Sequence, residues 1–382
     1  MKQPPLSLYV HFPWCVRKCP YCDFNSHRAG ENPPRDRYVA ALSVDLEREG
    51  QRSGGRQVAT IFLGGGTPSF FTPDEIAEVI EAATKHLLVS PDCEITMEAN
   101  PGTIERGSLA AYRKAGVTRL SIGAQSFDAN MLKVLGRIHD PDDIRSAYEE
   151  ACAAGFASIN IDLMFALPGQ NLAGAVDDVN SVLMLAPPHI SYYQLTLEPN
   201  TVFYKRPPDG IPDDDLAWAI QERCHDLLAA SGYLKYEISA FAREGHRCRH
   251  NLNYWTFGDY LAAGAGAHGK VTDRSGVARR YRKSANPVAY IEAALSGQWQ
   301  DAAAEIAVDD LGFEFMLNAL RLSDGFSERD FCDRTGLDIE SIREPIAKAR
   351  QDDLIEQSGP GHWRPTETGF RFLNDLQARF LP

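Results

Sequence analysis

The stretch Leu8-Tyr9-Val10-His11-Phe12-Pro13-Trp14-Cys15-Val16-Arg17-Lys18-Cys19-Pro20-Tyr21-Cys22 begins as a short apolar strand, residues 8–12, and runs directly into a loop crowded with three cysteines. Working outward from it, further apolar strand segments fall at 59–63, 94–98, 119–123, 159–165 and 191–195, with helix-like stretches between them. The stretch 72–88 is typical. Thr72 can cap it, Pro73 takes the first helical position, and Ile76, Val79, Ile80, Ala83 and Leu87 form one apolar stripe. Residues 140–154 start the same way, with Asp140 as cap and Pro141 behind it. One strand plus one helix, repeated through six units, predicts an α/β array of parallel strands. Six units are fewer than a closed eight-fold barrel needs, so the expectation is an incomplete (βα)6 TIM-like barrel over residues 1–235. A doubly wound open sheet is the alternative.

Beyond Glu198 the pattern changes. Pro199, Pro207, Pro208 and Pro212 punctuate a loop, and 213–231 reads as a helix. Residues 236–300 form a connecting segment rich in glycine, aromatic residues and histidine. Residues 301–382 read as a mostly helical, winged-helix-like module, with helices at 326–334 and 338–350 and two short strands within 354–364. Such modules often bind DNA.

The chain has 382 residues, 44% of them hydrophobic and 24% charged, which fits a large α/β domain plus a smaller one and excludes a disordered chain. No run approaches the roughly 18 apolar residues of a membrane span. The start, Met1-Lys2-Gln3-Pro4-Pro5, has no signal-like apolar stretch, so the expected location is the cytoplasm, free or peripheral to the inner face of the membrane. A net charge of −13 repels phosphate backbones. Nucleic acid is therefore not the expected partner, and the C-terminal module is read as a packing or partner-contact unit. Eight cysteines in a reducing compartment, three of them within residues 15–22, point to metal or redox work rather than disulfides.

A loop after the first parallel strand lies at the barrel's C-terminal face, where active sites collect. Thiolates of Cys15, Cys19 and Cys22, spaced four and three residues apart, can hold three corners of a [4Fe–4S] cubane. A fourth cysteine two residues further on would close the site, but that position is Phe24, so one iron is left for a small molecule. Tetrahedral zinc, with His11 or His27 as fourth ligand, is the competing reading. After the second strand, Gly64-Gly65-Gly66-Thr67-Pro68 lets the backbone approach a ligand closely and offer its N–H groups; a plain turn would have the same composition. Glu98 ends the third strand, Gln125 and Arg137 follow the fourth, and Asp162 interrupts the apolar run 159–167. A carboxylate in such a run needs a partner or ligand to offset its burial.

The loop resembles the CxxxCxxC signature of the radical S-adenosylmethionine (SAM) superfamily, including the aromatic Tyr21 before the last cysteine. The resemblance implies that the amino and carboxylate groups of SAM chelate the open iron, and that an electron from the cluster cleaves the sulfonium to a 5′-deoxyadenosyl radical. Read together, LYVHFPWC, GGGTP, EANP, GAQSF, LGRIHD and NIDLMFALPG are similar to the HemN/HemW branch, which contains anaerobic coproporphyrinogen III dehydrogenases and heme chaperones. The similarity extends over nearly the whole chain. It implies a SAM site lined by Tyr9, Tyr21, Gly64, Gly65, Gly66, Thr67, Glu98, Gln125, Arg137 and Asp162.

Two departures favour the chaperone type over the dehydrogenase. Phe24 replaces the dehydrogenase's additional cysteine, and the first strand begins almost at once, without that type's N-terminal extension. A third feature agrees: His250-Asn251-Leu252-Asn253-Tyr254-Trp255 matches the HNxxYW motif associated with heme. His250 could ligate heme iron, and Tyr254 and Trp255 offer flat faces to a porphyrin. A hydrogen-bonded structural role would use the same histidine. Cys248 is an alternative ligand, and His268, within the glycine-rich 264–269, is another. The resemblance thus implies a chaperone that binds cluster, SAM and heme, and hands heme to respiratory apoproteins. An iron-storage or electron-donor protein would be a further partner. The rival expectations are propionate decarboxylation of coproporphyrinogen III and, more remotely, DNA-binding regulation.

Overall fold

The structure, a computed structural model, describes residues 3–102 and 108–382. Met1 and Lys2 of the N-terminal reading lie outside the described residues. Six strands run parallel and side by side in chain order: β1 (Leu6–Phe12), β2 (Gln57–Gly65), β3 (Leu88–Ala99), β4 (Arg119–Gln125), β5 (Ser158–Phe165) and β6 (His189–Gln194). Between them lie α1 (Arg35–Ser53), α2 (Pro73–His86), α3 (Leu109–Lys114), α4 (Ala129–Val134), α5 (Pro141–Ala153) and α6 (Leu172–Leu185). The spatial order never reverses, so the sheet has no switch point of the doubly wound kind. Its outer edges do not pair with each other, which makes it an incomplete barrel.

Residues 234–305 contribute strands to both edges of this sheet. Asp259–Ala263 pairs parallel with β1 on the side away from β2, and an antiparallel run of His268–Thr272, Ala278–Arg282 and Ala302–Glu305 continues outward. At the other edge Ala240–Ala242 pairs antiparallel with β6, followed by Leu234–Glu237. Among the described residues twelve strands therefore form one open sheet.

Local sequence explains the elements. β1 is buried on both faces, so it reads as a continuous apolar run rather than as an alternation. At the start of α2 the Glu75 amide donates to Thr72 Oγ1 (3.3 Å) and the Thr72 amide donates to Glu75 Oε2 (2.6 Å). Such a reciprocal cap is worth about 1 kcal/mol. Asp140 and Asp143 form the same device at α5.

A buried polar network lies behind the sheet's first edge. α1 turns Asp45 and Glu49 inward to Lys283, whose Nζ donates to Asp45 Oδ1 (2.6 Å) and Glu49 Oε1 (2.8 Å), and all three side chains are fully enclosed. The Tyr290 hydroxyl donates to Asp45 (2.8 Å), as does the Gly264 amide (3.1 Å), and the Tyr281 hydroxyl donates to Glu49. Tyr38, also on α1, donates to the His11 carbonyl (2.8 Å) and accepts from the Ala265 amide (2.9 Å). The network thereby fixes the turn at 264–267 against the end of β1.

In the C-terminal region, helices Val308–Ala319, Glu328–Thr335 and Arg343–Gln351 pack with a small sheet ordered Phe326–Ser327, His362–Pro365, Ile355–Gly359, a winged-helix arrangement. Its core of Phe315, Phe331, Ile346 and Trp363 is continuous with Phe257, which follows the HNxxYW helix. Phe257 and Phe315 meet edge to face at 5.9 Å. Among the described residues no helix is long and apolar enough to cross a membrane.

Candidate functional site

The parallel strands end together on one face, and the cysteine loop covers the end of β1. Trp14–Cys15 pairs with His27–Arg28, folding the loop back on itself. Burial, with Cys22 and Cys19 close by, pushes the Cys15 thiol up to about 11, although Thr67 hydrogen-bonds to it. Burial also raises the Cys22 thiol, whose sulfur lies 3.6 Å from Ser26 Oγ. Arg137 donates to Cys19 Sγ (3.7 Å) and to the Gly123 carbonyl (2.7 Å), while its Nε is buried without a partner. Cys15, Cys19 and Cys22 lie near enough to raise one another's titration, beside the Arg137 guanidinium, although among the described residues they are not drawn together at metal-ligating distance. Thiolate ligation of a cluster would remove the protons that burial otherwise retains. His11 is already committed: Nδ1 lies 2.9 Å from the Tyr9 hydroxyl and Nε2 lies 2.9 Å from the Asn25 carbonyl.

The glycine run at the end of β2 needs glycine for stated reasons. Gly65 has φ +114°, and a Cβ there would stand 2.4 Å from the His11 ring. A Cβ on Gly66 would stand 2.8 Å from the Phe12 carbonyl oxygen, and one on Gly64 would meet Phe62 at 2.8 Å and Glu98 at 3.2 Å. The Gly65 amide donates to Glu98 Oε2 (3.0 Å). Burial pushes the Glu98 carboxyl up to about 8, with Asp162 nearby adding to the rise. Asp162 is itself raised by burial, although Asn160 (2.7 Å) and Ser121 (3.0 Å) donate to it. Gln125 takes a left-handed backbone, φ +70°, where β4 ends; non-glycine residues hold that conformation at a cost, and it recurs at binding sites. Tyr21 turns away from this cradle, bonding to Arg137 and packing on Phe203.

A cavity of about 970 Å³ opens beside these residues. Tyr9, Gly65 and Glu98 line one side, Phe24, Asn25 and His27 of the cysteine loop another, and Tyr254, Trp255 and His268 the far wall. Leu317 and Asn318 of the C-terminal region also line it. Its volume is at the upper end of what a cofactor-sized ligand needs, about 300–1,000 Å³.

The HNxxYW motif divides. Tyr254 and Trp255 face the cavity; His250, Asn251 and Cys248 do not line it. His250 is buried, with Nδ1 2.8 Å from Thr60 Oγ1 and Nε2 3.0 Å from the Tyr254 hydroxyl. Burial, with Arg119 nearby, lowers its ring to about 3, so it is neutral. Cys248 is buried and directed toward Glu94. His268 is the exposed imidazole of the set.

Sequence reasoning missed Asn25. Its side-chain amide donates to the carbonyls of Ala265 and Ala285 (2.9 Å each), clamping the cysteine loop to the 264–267 turn. A Cβ on Gly266 would strike that amide at 2.2 Å. Both partners lie 240 or more residues away, so no local signal marked it.

Glu98 makes a pH-dependent prediction for the cofactor-free protein. Its folded-state carboxyl titrates near 8 against an ordinary 4.5. Its contribution is therefore favourable below about pH 4.5 and is lost as pH rises through about 8. Glu98→Gln is expected to raise stability at pH 8 by about 1–2 kcal/mol, discounted because the group faces the cavity, and to change little at pH 4.5. Thermal melts of both proteins at the two pH values check this; parallel losses would trace the pH effect to another group.

Comparison with known proteins places this geometry. Residues 9–182 match the Radical SAM superfamily, and residues 306–372 match the HemN C-terminal domain. The chain is 45% identical to the heme chaperone HemW of Escherichia coli K12 over 381 residues, covering 100% of this chain and 99% of that one. It is also 45% identical to HemW of Haemophilus influenzae and 33% identical to that of Bacillus subtilis, each over 98% or more of both chains. Coproporphyrinogen III oxidase (HemN) from E. coli superposes with a TM-score of 0.83 at 22% identity, over 99% of this chain and 90% of that one, and so shares the fold. The chain belongs to the HemN/HemW branch of the radical SAM superfamily and, within it, to the HemW family.

Proposed function

We propose that this protein is a heme chaperone. Cys15, Cys19 and Cys22 hold a [4Fe–4S] cluster. SAM lies across the strand ends, contacted by Tyr9, Gly64–Thr67, Glu98, Gln125, Arg137 and Asp162, with Tyr21 buttressing Arg137. Heme occupies the remaining cavity against Tyr254 and Trp255, and passes to respiratory apoproteins under the control of cluster and SAM. When bound, cluster and SAM together supply one-electron chemistry. The chain's own residues position and enclose: Glu98 and the Gly65 backbone receive polar groups, Arg137 balances thiolate charge, and the aromatic wall excludes water.

The observation that carries this reading is the shared cavity. One cavity is lined by the cysteine loop, the glycine cradle and the aromatic end of the HNxxYW helix. Phe24, 59% exposed, presents an apolar ring to that cavity where the dehydrogenase type carries a cysteine. A flat tetrapyrrole suits such a wall.

Anaerobic reconstitution with iron and sulfide tests the reading, followed by EPR with and without SAM and by heme titration. We expect a cluster signal that changes on adding SAM, and stoichiometric heme uptake read as a Soret shift. Incubation with coproporphyrinogen III, reductant and SAM is expected to give no protoporphyrinogen. Its appearance, or a failure to take up heme, would overturn the proposal.

A further inference from the structure

The strands His268–Thr272 and Ala278–Arg282 pair so that His268 stands opposite Arg282 and Lys270 opposite Arg280. Residues directly opposite, and those two positions along, share a face. His268, Lys270, Arg280 and Arg282 therefore form one cationic and imidazole strip, three members of which line the cavity. Two are already engaged: Lys270 with Asp259 (3.1 Å) and Arg280 with Glu314. The His268 and Arg282 side chains are exposed, and among the described residues neither makes a side-chain hydrogen bond or ion pair; Arg282 stands opposite His268, just outside the cavity lining. By contrast both ring nitrogens of His250 are occupied, and its ring is buried between Phe62 and Tyr254, with centroids at 5.1 and 4.8 Å.

We propose that His268, not His250, supplies the axial nitrogen to heme iron, with Arg282 beside it receiving a propionate. The assignment rests on the heme-binding reading above. His250 then has a positioning role. It joins Thr60 on β2 to the Tyr254 hydroxyl, and so sets the angle of the aromatic wall that the macrocycle lies against. An imidazole nitrogen with a free lone pair ligates heme iron, and a guanidinium pairs with a carboxylate through two parallel bonds. His268 offers the first and Arg282 the second, adjacent on one rigid hairpin.

The test is heme titration of the full-length, cluster-reconstituted protein and its His268→Ala and Arg282→Ala variants. Magnetic circular dichroism reports axial ligation apart from cluster absorbance. His268→Ala is expected to lose the nitrogen-ligated signature and at least about tenfold in heme affinity, and added imidazole should restore the signature. Arg282→Ala should keep the signature and bind about three- to tenfold more weakly. Both side chains are exposed, so iron content and melting temperature should match wild type. Wild type that binds heme while His268→Ala retains the same spectrum and affinity overturns this assignment alone. Wild type that takes up no heme overturns the chaperone reading and this assignment with it.

Discussion

Replacing any one of Cys15, Cys19 or Cys22 with alanine is expected to lower the iron retained after anaerobic reconstitution by more than about 100-fold. Loss of an outer-shell partner of a metal ligand typically costs about 10–100-fold in affinity, and loss of a ligand itself costs more. The nearby imidazoles are already engaged. His11 is held by Tyr9 and by the Asn25 carbonyl, His27 lies 3.3 Å from Asn25 Oδ1, and the position two residues after Cys22 is Phe24. With two thiolates left, two irons face solvent and the cluster hydrolyses. The SAM-dependent change in the EPR spectrum should vanish with it. Cys332→Ala, in the C-terminal region, and Cys152→Ala, on the exposed face of α5, are the controls and should retain full iron. A single loop variant that keeps iron and its SAM response would mean that another residue completes the site.

Lys283→Met is expected to cost about 3–5 kcal/mol of stability, the usual result of removing one partner from a fully buried ion pair. Asp45 and Glu49 would then share an enclosed site, with Arg52, the Tyr290 and Tyr281 hydroxyls and the Gly264 amide left to balance them. Asp45, already raised by burial and by Glu49, would lose the lysine that lowers it and titrate higher still in the folded state. Its contribution would then be favourable at low pH and lost as pH rises, so the gap to wild type should narrow toward pH 5 and widen toward pH 8. Calorimetry at the two pH values measures this. Hydrogen exchange at the Gly264 and Ala265 amides, which bond to Asp45 and Tyr38, should rise in parallel. A uniform stability loss with those amides still protected would show that the network does not hold the turn.

The parts of the molecule legible in sequence were those encoded locally. The Thr72-Pro73 and Asp140-Pro141 starts, the apolar runs of the parallel strands and the three-cysteine loop each carry their signal within a few residues, and all lie where they were read. The C-terminal helices and wing followed for the same reason. What sequence could not supply was pairing at long range. The partnership of β1 with Asp259–Ala263, the clamp from Asn25 to Ala265, and the enclosure of Lys283 by Asp45 and Glu49 join positions more than 200 residues apart, and no periodicity announces them. The HNxxYW motif shows the limit most clearly. As a string it presents His250 and Trp255 alike, but on a short helix packed against β2, Arg249–Trp255, the histidine turns inward to Thr60 while Tyr254 and Trp255 reach the cavity.

The pairing of β1 with Asp259–Ala263 also bears on biogenesis. β1 is flanked on one side by residues made some 250 positions later, and closing so long a span is slow. The seat for Asn25 cannot assemble until those residues emerge. During synthesis the three thiols therefore stand without their back wall, open to oxidants and stray metals. On the proposed function, loading with iron and sulfide is expected only after residues 259–265 have been made.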